Sequence, residues 1–436
     1  MRWEQRIQYA TKSDIGFRRQ NNEDSLAVQL CQNAEEWENH GHLFVIADGM
    51  GGHAVGELAS KIAIDTVPHA FFKSKAESPQ VSLKNALEIA NANIFERGSQ
   101  NRDFARMGTT CSTLVLTERG AFIGHVGDSR VYRVRQNRID QLSCDHSLHW
   151  ELMRRGKLSP DKAASQEPRH IITRSLGPEE KVEVDLEGPH PVVPGDLYVL
   201  CSDGLNGHLK DDEIGMIVES LSPAESSRSL VNLANLRGGS DNISVIVVKV
   251  GDSSDGVPAS DFPVKKKRAL TAELNAWWMI GFWISAIMLT SGMILMLFGR
   301  VIQGSLLTLA SFSLCAALFS KWYQKRKKWI EQFGDLSETV YGRTYQSTPC
   351  KLNRKFLMLM HSIVADLEKS ASEDHWEIDW SRIKRNLEAA RSQTARAEWG
   401  NCLQSYTSAM EEFMVGVYEL RRKMKEKTKR SQANSS

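Results

Sequence analysis

Acidic side chains recur beside glycines or turn-forming residues in the N-terminal part of this chain, mostly at the ends of apolar runs. The stretches are Asn21-Asn22-Glu23-Asp24, Asp48-Gly49-Met50-Gly51-Gly52-His53, Gly127-Asp128-Ser129-Arg130, Ser202-Asp203-Gly204 and Gly239-Ser240-Asp241-Asn242. An acid at a strand end beside glycine is held rigidly, and it leaves room for an ion or a backbone carbonyl to approach. Hard cations such as Mg²⁺ and Mn²⁺ take oxygen ligands and keep several waters, so carboxylates without His or Cys clusters suit them. One Asp-Gly is an ordinary turn; a series of such motifs is a different signal. No cysteine has an arginine six positions later, so a cysteine nucleophile whose loop closes on arginine is not indicated.

The elements that must position these acids are short. Phe44–Ala47, Cys111–Thr117, Leu197–Cys201 and Ile243–Val250 read as strands, with helices over Glu57–Ala70 and Ser82–Arg97. Residues 251–273 read as a linker that holds the basic cluster Lys265 to Arg268. No charge falls from 274 to 299 or from 301 to 320, and only Arg300 separates the two runs. A hydrocarbon core ~30 Å thick needs about 20 apolar residues of helix, so 274–299 and 301–320 are expected to be two transmembrane helices. Basic flanks at Lys265 to Arg268, Lys321 and Lys325 to Lys328 put both ends on the cytoplasmic side. The remainder, 329–436, carries stripes at helical spacing, such as Phe356, Met360, Val364, Leu367 and then Leu403, Tyr406, Met410, Phe413, Val417. It reads as a cytoplasmic helical region.

With 436 residues, more than one unit is expected. The 55 Lys and Arg nearly balance 53 Asp and Glu, which argues against nucleic acid as a partner. The seven cysteines are scattered without a C-x-x-C pair, so neither a disulfide framework nor a zinc ribbon is indicated. Met1 to Tyr9 is polar, and no signal peptide is expected.

In order and wording the motifs resemble the protein phosphatase 2C family, metal-dependent Ser/Thr phosphatases, in its bacterial form. The resemblance runs from Asp14-Ile15-Gly16-Phe17-Arg18-Arg19 to Gly239-Ser240-Asp241-Asn242-Ile243-Ser244. On the way it takes in Met107-Gly108-Thr109-Thr110, Asp145-His146-Ser147 and Ile171 to Gly177. It implies an α+β fold over 1–250, a four-layer αββα sandwich of two antiparallel sheets flanked by helices, with two Mn²⁺ or Mg²⁺ ions at one end. By motif position Asp48 bridges the two ions and the Gly49 carbonyl ligates one. Asp203 and Asp241 complete a shell, Glu23 reaches the other side, and Asp24 supports it. Asp128 with Asp203 matches the acids that hold a weaker third ion. Arg19 matches the arginine that grips the substrate phosphate, and Arg18 reads as a surface charge. The polar stretch between Glu151 and Arg169 resembles the family's flap, and Leu205-Asn206-Gly207-His208 departs from the usual wording. Phosphoproteins, the targets of a Ser/Thr kinase, are the implied substrates. With the two spans, the reading is a bacterial inner-membrane phosphatase that contacts lipid.

The chemistry follows from the groups. Two ions ~3.5–4 Å apart lower the pKa of a shared water and hold the attacking and leaving oxygens, so direct attack by a metal-bound hydroxide needs no phospho-enzyme. The Arg19 guanidinium can bind phosphate oxygens bidentately. His53 is a candidate general acid; a supporting or helix-start role is the competing reading. A pseudophosphatase would have lost a metal acid, and none is lost. A nucleotide site would need Gly-Lys-Ser/Thr, or a third glycine where Ala54 stands. A membrane scaffold working through its C-terminal helices is told apart by whether turnover survives deletion of 264–436.

Overall fold

The computed structural model describes residues 7–52, 54–76, 78–104, 106–154, 171–251, 270–313, 315, 320 and 344–433. Within these ranges the side chains of 102, 153, 154, 270–282, 284 and 424–433 are not described. The chain divides into two compact units, one of 1–254 with 340–436 and one of 255–339.

The first unit is built on two sheets. One orders β1 (Ile7–Asp14), β11 (Ile243–Val250), β10 (Leu197–Cys201), β7 (Arg130–Arg135), β8 (Arg138–Gln141) and β12 (Gln346–Pro349). The other orders β2 (Asp24–Gln29), β3 (His42–Met50), β5 (Cys111–Thr117), β6 (Gly120–Val126) and β9 (Asp185–His190), with β4 (Gly108–Thr109) paired to the end of β3. The pairings are antiparallel. Alternation along the strands explains why the sheets stack. In β11, Ile246 and Val248 enter the inter-sheet core with Phe44, Ile46, Leu114 and Leu200. Ile243, Val245 and Val247 point to the opposite face, as period-2 geometry requires. β3 does the same: Phe44 and Ile46 face the other sheet, while Leu43 and Val45 face helices.

Those helices are α2 (Ala54–Lys73) and α3 (Pro79–Ser99), after the short α1 (Ala34–Asn39). They bury Ala59, Ala63, Phe71, Leu83, Leu87 and Ile94 against the second sheet. Beyond α4 (Leu148–Arg154) and the single turn α5 (Asp203–Asn206), α6 (Asp211–Ser220) and α7 (Pro223–Leu236) cover the first sheet. Ser222 and Glu225 close a capping box on α7 with Pro223 in its first turn, so this helix start is set locally. The expected αββα layering is present.

The C-terminal region adds to it. After the second unit the chain returns as β12, which pairs with β8 from Gln346 opposite Gln141 to Pro349 opposite Arg138. Three helices follow: α9 (Arg354–Glu373), capped by Asn353, α10 (Trp380–Ala395), capped by Asp379, and α11 (Trp399–Ala433). Their apolar stripes do not close on themselves alone. Phe356, Met360, Leu403, Met410 and Phe413 share one continuous core with Ile214, Ile217, Leu230 and Leu233 of α6 and α7. The helical reading holds over 354–433, while 346–349 form a strand and 329–343 lie outside the described residues; the partner of these helices is the outer face of α6 and α7.

The second unit contains α8 (Leu270–Leu297) and a helical run over 301–313. The expected pair of membrane spans is not found: among the described residues no helix is long and apolar enough to cross a membrane. The side chains of 270–282, most of 314–320, and the basic flanks at Lys265 to Arg268 and Lys321 to Lys328 lie outside the described residues. Where the two runs are described, they meet through small residues. Ser285 Oγ and Ser311 Oγ are 3.0 Å apart, and a Cβ on Gly304 would lie 2.6 Å from the Gly292 carbonyl.

Candidate active site

Topology brings the singled-out acids to one end of the sandwich. In the first sheet Asp203 follows β10, Asp241 precedes β11, and the turn that leads to Arg19 follows β1, whose last residue Asp14 pairs with Ile243. In the second sheet Asp24 opens β2 directly opposite Asp48 near the end of β3. Strand β3 runs to Met50, so Asp48 and Gly49 sit within it and not beyond its end. Arg19, Glu23, Asp48, Gly49, Asp203 and Asp241 line a single cleft of about 450 Å³, with Arg18, Ile172 and the Gly51-Gly52 turn on its wall. Arg18, expected to be a plain surface charge, is therefore part of the cleft rim.

Close approach is built into this end by glycines. A Cβ on Gly49 would lie 2.0 Å from the Gly56 carbonyl, and one on Gly56 would lie 2.1 Å from Glu23 Oε2. The Glu23 carboxylate thus rests against the first turn of α2, where the helix dipole favours a negative group. Asn242 ties three segments together: its Oδ1 accepts from Glu23 N at 2.9 Å, and its Nδ2 donates to the carbonyls of Ile15 (3.0 Å) and Asn21 (2.9 Å). Ser202 Oγ donates to Asp24 Oδ2 at 2.8 Å. The departure after Asp203 has a local role, since His208 Nε2 accepts from Ser240 N at 3.1 Å and so links the Asp203 and Asp241 loops.

Asp24 and Asp128 are buried and are not on the cleft wall. Asp128 sits on a turn fixed by His146, which accepts from Gly127 N through Nδ1 (3.0 Å) and donates its own amide to the Gly127 carbonyl (2.7 Å). Arg130 forks onto Asp145, at 2.7 Å from Nη2 to Oδ2, so His146, Arg130 and Asp145 act as scaffold. Ser202, Asn242 and His208 stand in motifs quoted from the sequence, but the wording assigned them no role, because their partners are distant along the chain. His53 and residues 155–170 of the flap lie outside the described residues.

Burial and like charge dominate the electrostatics. Burial, then the charges of Asp24, Asp203, Asp128 and Asp241, hold the Asp48 carboxyl well above the usual carboxylate range. Asp24 is pushed up to about 7, by burial first and against hydrogen bonds from Ser244 and Ser202. Its Oδ1 is buried without a hydrogen-bond partner. Crowded carboxylates of this kind are stabilised by cations. Among the described residues no three His, Cys, Asp or Glu side chains converge on one point. The acids that line the cleft offer oxygens, the donors that hard ions take. The Arg19 guanidinium donates to Asp241 Oδ2 at 2.7 Å with its side chain half exposed, at 49%.

Two stacked antiparallel sheets, with a cleft walled by carboxylates and by Arg18 and Arg19, suit a metal-dependent hydrolase of phosphate esters. The family profile described as "Protein phosphatase 2C" matches residues 18–235. A putative protein phosphatase 2C-type of Streptococcus pyogenes serotype M6 is 37% identical over 246 residues, 56% of this chain and 97% of that protein. The protein phosphatase PhpP of Streptococcus pneumoniae serotype 2 is 33% identical over 244 residues, 55% of this chain and 96% of that one. The Mycobacterium tuberculosis serine/threonine phosphatase PstP/Ppp aligns with a TM-score of 0.51 at 32% identity, covering 56% of this chain and 99% of that structure. The chain belongs to the protein phosphatase 2C family and is a protein Ser/Thr phosphatase. Phosphatases of this family use two Mn²⁺ or Mg²⁺ ions.

Proposed function

We propose that this chain is a membrane-attached phosphatase that removes phosphate from phosphoserine and phosphothreonine of proteins phosphorylated by a Ser/Thr kinase. The observation that carries the catalytic part is the shared cleft of Arg19, Glu23, Asp48, Asp203 and Asp241. Asp48, Glu23, Asp203, Asp241 and the Gly49 carbonyl would hold the two ions, and Asp128 with Asp203 a third. Bound there, the ions supply a water of lowered pKa and positive charge for the attacking and leaving oxygens. Arg19 binds the phosphate: its half-exposed guanidinium exchanges the Asp241 carboxylate for phosphate oxygens, which accept the same fork of donors. His53 is the candidate proton donor to the leaving oxygen. In the full chain, Asp203→Ala should lower phosphate release from a phosphoserine peptide by at least about a thousandfold. Release within tenfold of the unaltered chain would remove Asp203 from the machinery.

Membrane attachment is supported by unit 255–339. Leu297, Phe298, Ile302, Leu306 and Phe312 are 64–85% exposed around a seam of Ser285, Gly292, Gly304 and Ser311. Close packing through small residues with bulky apolar groups outside suits a lipid surrounding. With basic flanks on both sides, the phosphatase and the C-terminus would face the cytoplasm of a bacterial inner membrane. The chain should stay with membranes through alkaline carbonate and be released by detergent. Release by carbonate alone would refute attachment through this hairpin.

A further inference from the structure

The C-terminal helical layer reaches the turn that presents the phosphate-binding arginine. β1 ends at Asp14, and Ile15-Gly16-Phe17 leads into Arg18 and Arg19. The inner side of this turn is fixed by the Asp241 loop. Gly16 has φ +76°, and a Cβ there would lie 2.0 Å from the Asp241 carbonyl. The Gly239 carbonyl accepts from the amides of Phe17 (2.6 Å) and Arg18 (3.0 Å).

Helix α11 covers the outer side. Tyr418 Oη donates to Asp14 Oδ2 at 2.9 Å, and Asn235 Nδ2 donates to both Asp14 Oδ1 (3.0 Å) and Tyr418 Oη (3.1 Å). One turn further along the same face, the Arg421 guanidinium lies 4.0 Å from the centre of the Phe17 ring. It donates to the carbonyls of Gly16, at 3.1 Å, and of Phe17. Phe17 also meets Tyr418 edge to face, with centroids 6.0 Å apart. A planar fork on two successive carbonyls, with the same plane over the intervening ring, fixes both the position and the tilt of that peptide. The helix does not need these contacts to dock, because Leu403, Met410 and Phe413 are already fully buried against the rest of the unit.

We propose that Tyr418 and Arg421 are positioning residues for the phosphatase reaction: they clamp the Gly16-Phe17 turn so that Arg19 is presented to the substrate phosphate. This rests on the phosphatase reading and adds that the C-terminal layer completes the phosphate site from outside. The clamp acts on substrate binding more than on turnover, because what it holds is a phosphate-binding group.

The test uses the full chain with Mn²⁺ and two readouts: calorimetric binding of inorganic phosphate, and KM against kcat for p-nitrophenyl phosphate. Arg421→Ala should weaken phosphate binding and raise KM by about tenfold, with kcat within about twofold and Tm nearly unchanged. Arg421→Lys should recover part of the loss, since it keeps the charge but not the fork; Tyr418→Phe should give a smaller shift in the same direction. In an Arg19→Ala background Arg421→Ala should add nothing, as expected for groups acting in series. Phosphate binding and KM within twofold of the unaltered chain would overturn the proposal. So would kcat, KM and Tm failing together, or full additivity with Arg19→Ala. Phosphate binding is read without turnover, so a chain that binds phosphate through the clamp yet hydrolyses nothing would sink the phosphatase reading alone.

Discussion

Asp48 shows most directly what this site is for. A half-buried carboxylate among four others is held well above its ordinary range by loss of water and by like charge, an arrangement that destabilises the fold unless cations offset it. Asp48→Asn should therefore abolish turnover and at the same time raise Tm in chelator by a few degrees, the trade expected of a functional site. A lowered Tm would show that Asp48 is structural. Asp24 contributes to the pH dependence in the same direction as Asp48. Its carboxyl is raised from 3.8 to about 7 in the folded chain, so the folded state keeps a proton that the unfolded state releases. Its contribution is most favourable below about pH 4 and is lost as pH rises through 7. In chelator, Tm should fall over that window, and Mn²⁺ should remove the slope; a rise over the same window would contradict the electrostatic account. Glu23, Asp48, Asp203, Asp241 and Arg19 were legible because each sits in a distinctive local wording. The polar residues that hold them, Ser202, Asn242 and His208, were not, because their partners lie far away along the chain.

At the scale of elements, local patterns carried far. Cys111–Thr117, Leu197–Cys201 and Ile243–Val250 form strands over the stretches their composition indicates, and the C-terminal stripes form helices. What remained hidden was non-local. β12 is four residues ending in a proline, Gln346-Ser347-Thr348-Pro349, and nothing in that wording marks a strand. It exists because β8 offers an open edge, which natural sheets cover or blunt. The partner of the C-terminal stripes was hidden for the same reason: an apolar face states that it is buried, not against what. Removing 344–436 should uncover this β8 edge and the apolar faces of α6 and α7. With roughly 1.5–3 kcal/mol for each large side chain buried, the shortened chain should aggregate or melt well below the full one. A soluble 1–343 chain of unchanged Tm would contradict the shared core.

The whole molecule joins a phosphatase and its helical layer in one unit, while a second unit, 255–339, is inserted between them in sequence. The relatives that match cover about half of this chain, so the inserted unit and the C-terminal layer are what set it apart from them. The central claim remains that the carboxylate cleft performs metal-dependent hydrolysis. The most direct test strips the full-length chain of metal with chelator, removes the chelator, and follows phosphate release from a phosphoserine peptide as Mn²⁺ or Mg²⁺ is returned. On this account no release is expected before the metal is added and full recovery afterwards, because in this site the bound ions supply the water of lowered pKa. Undiminished release from the metal-free chain would contradict it.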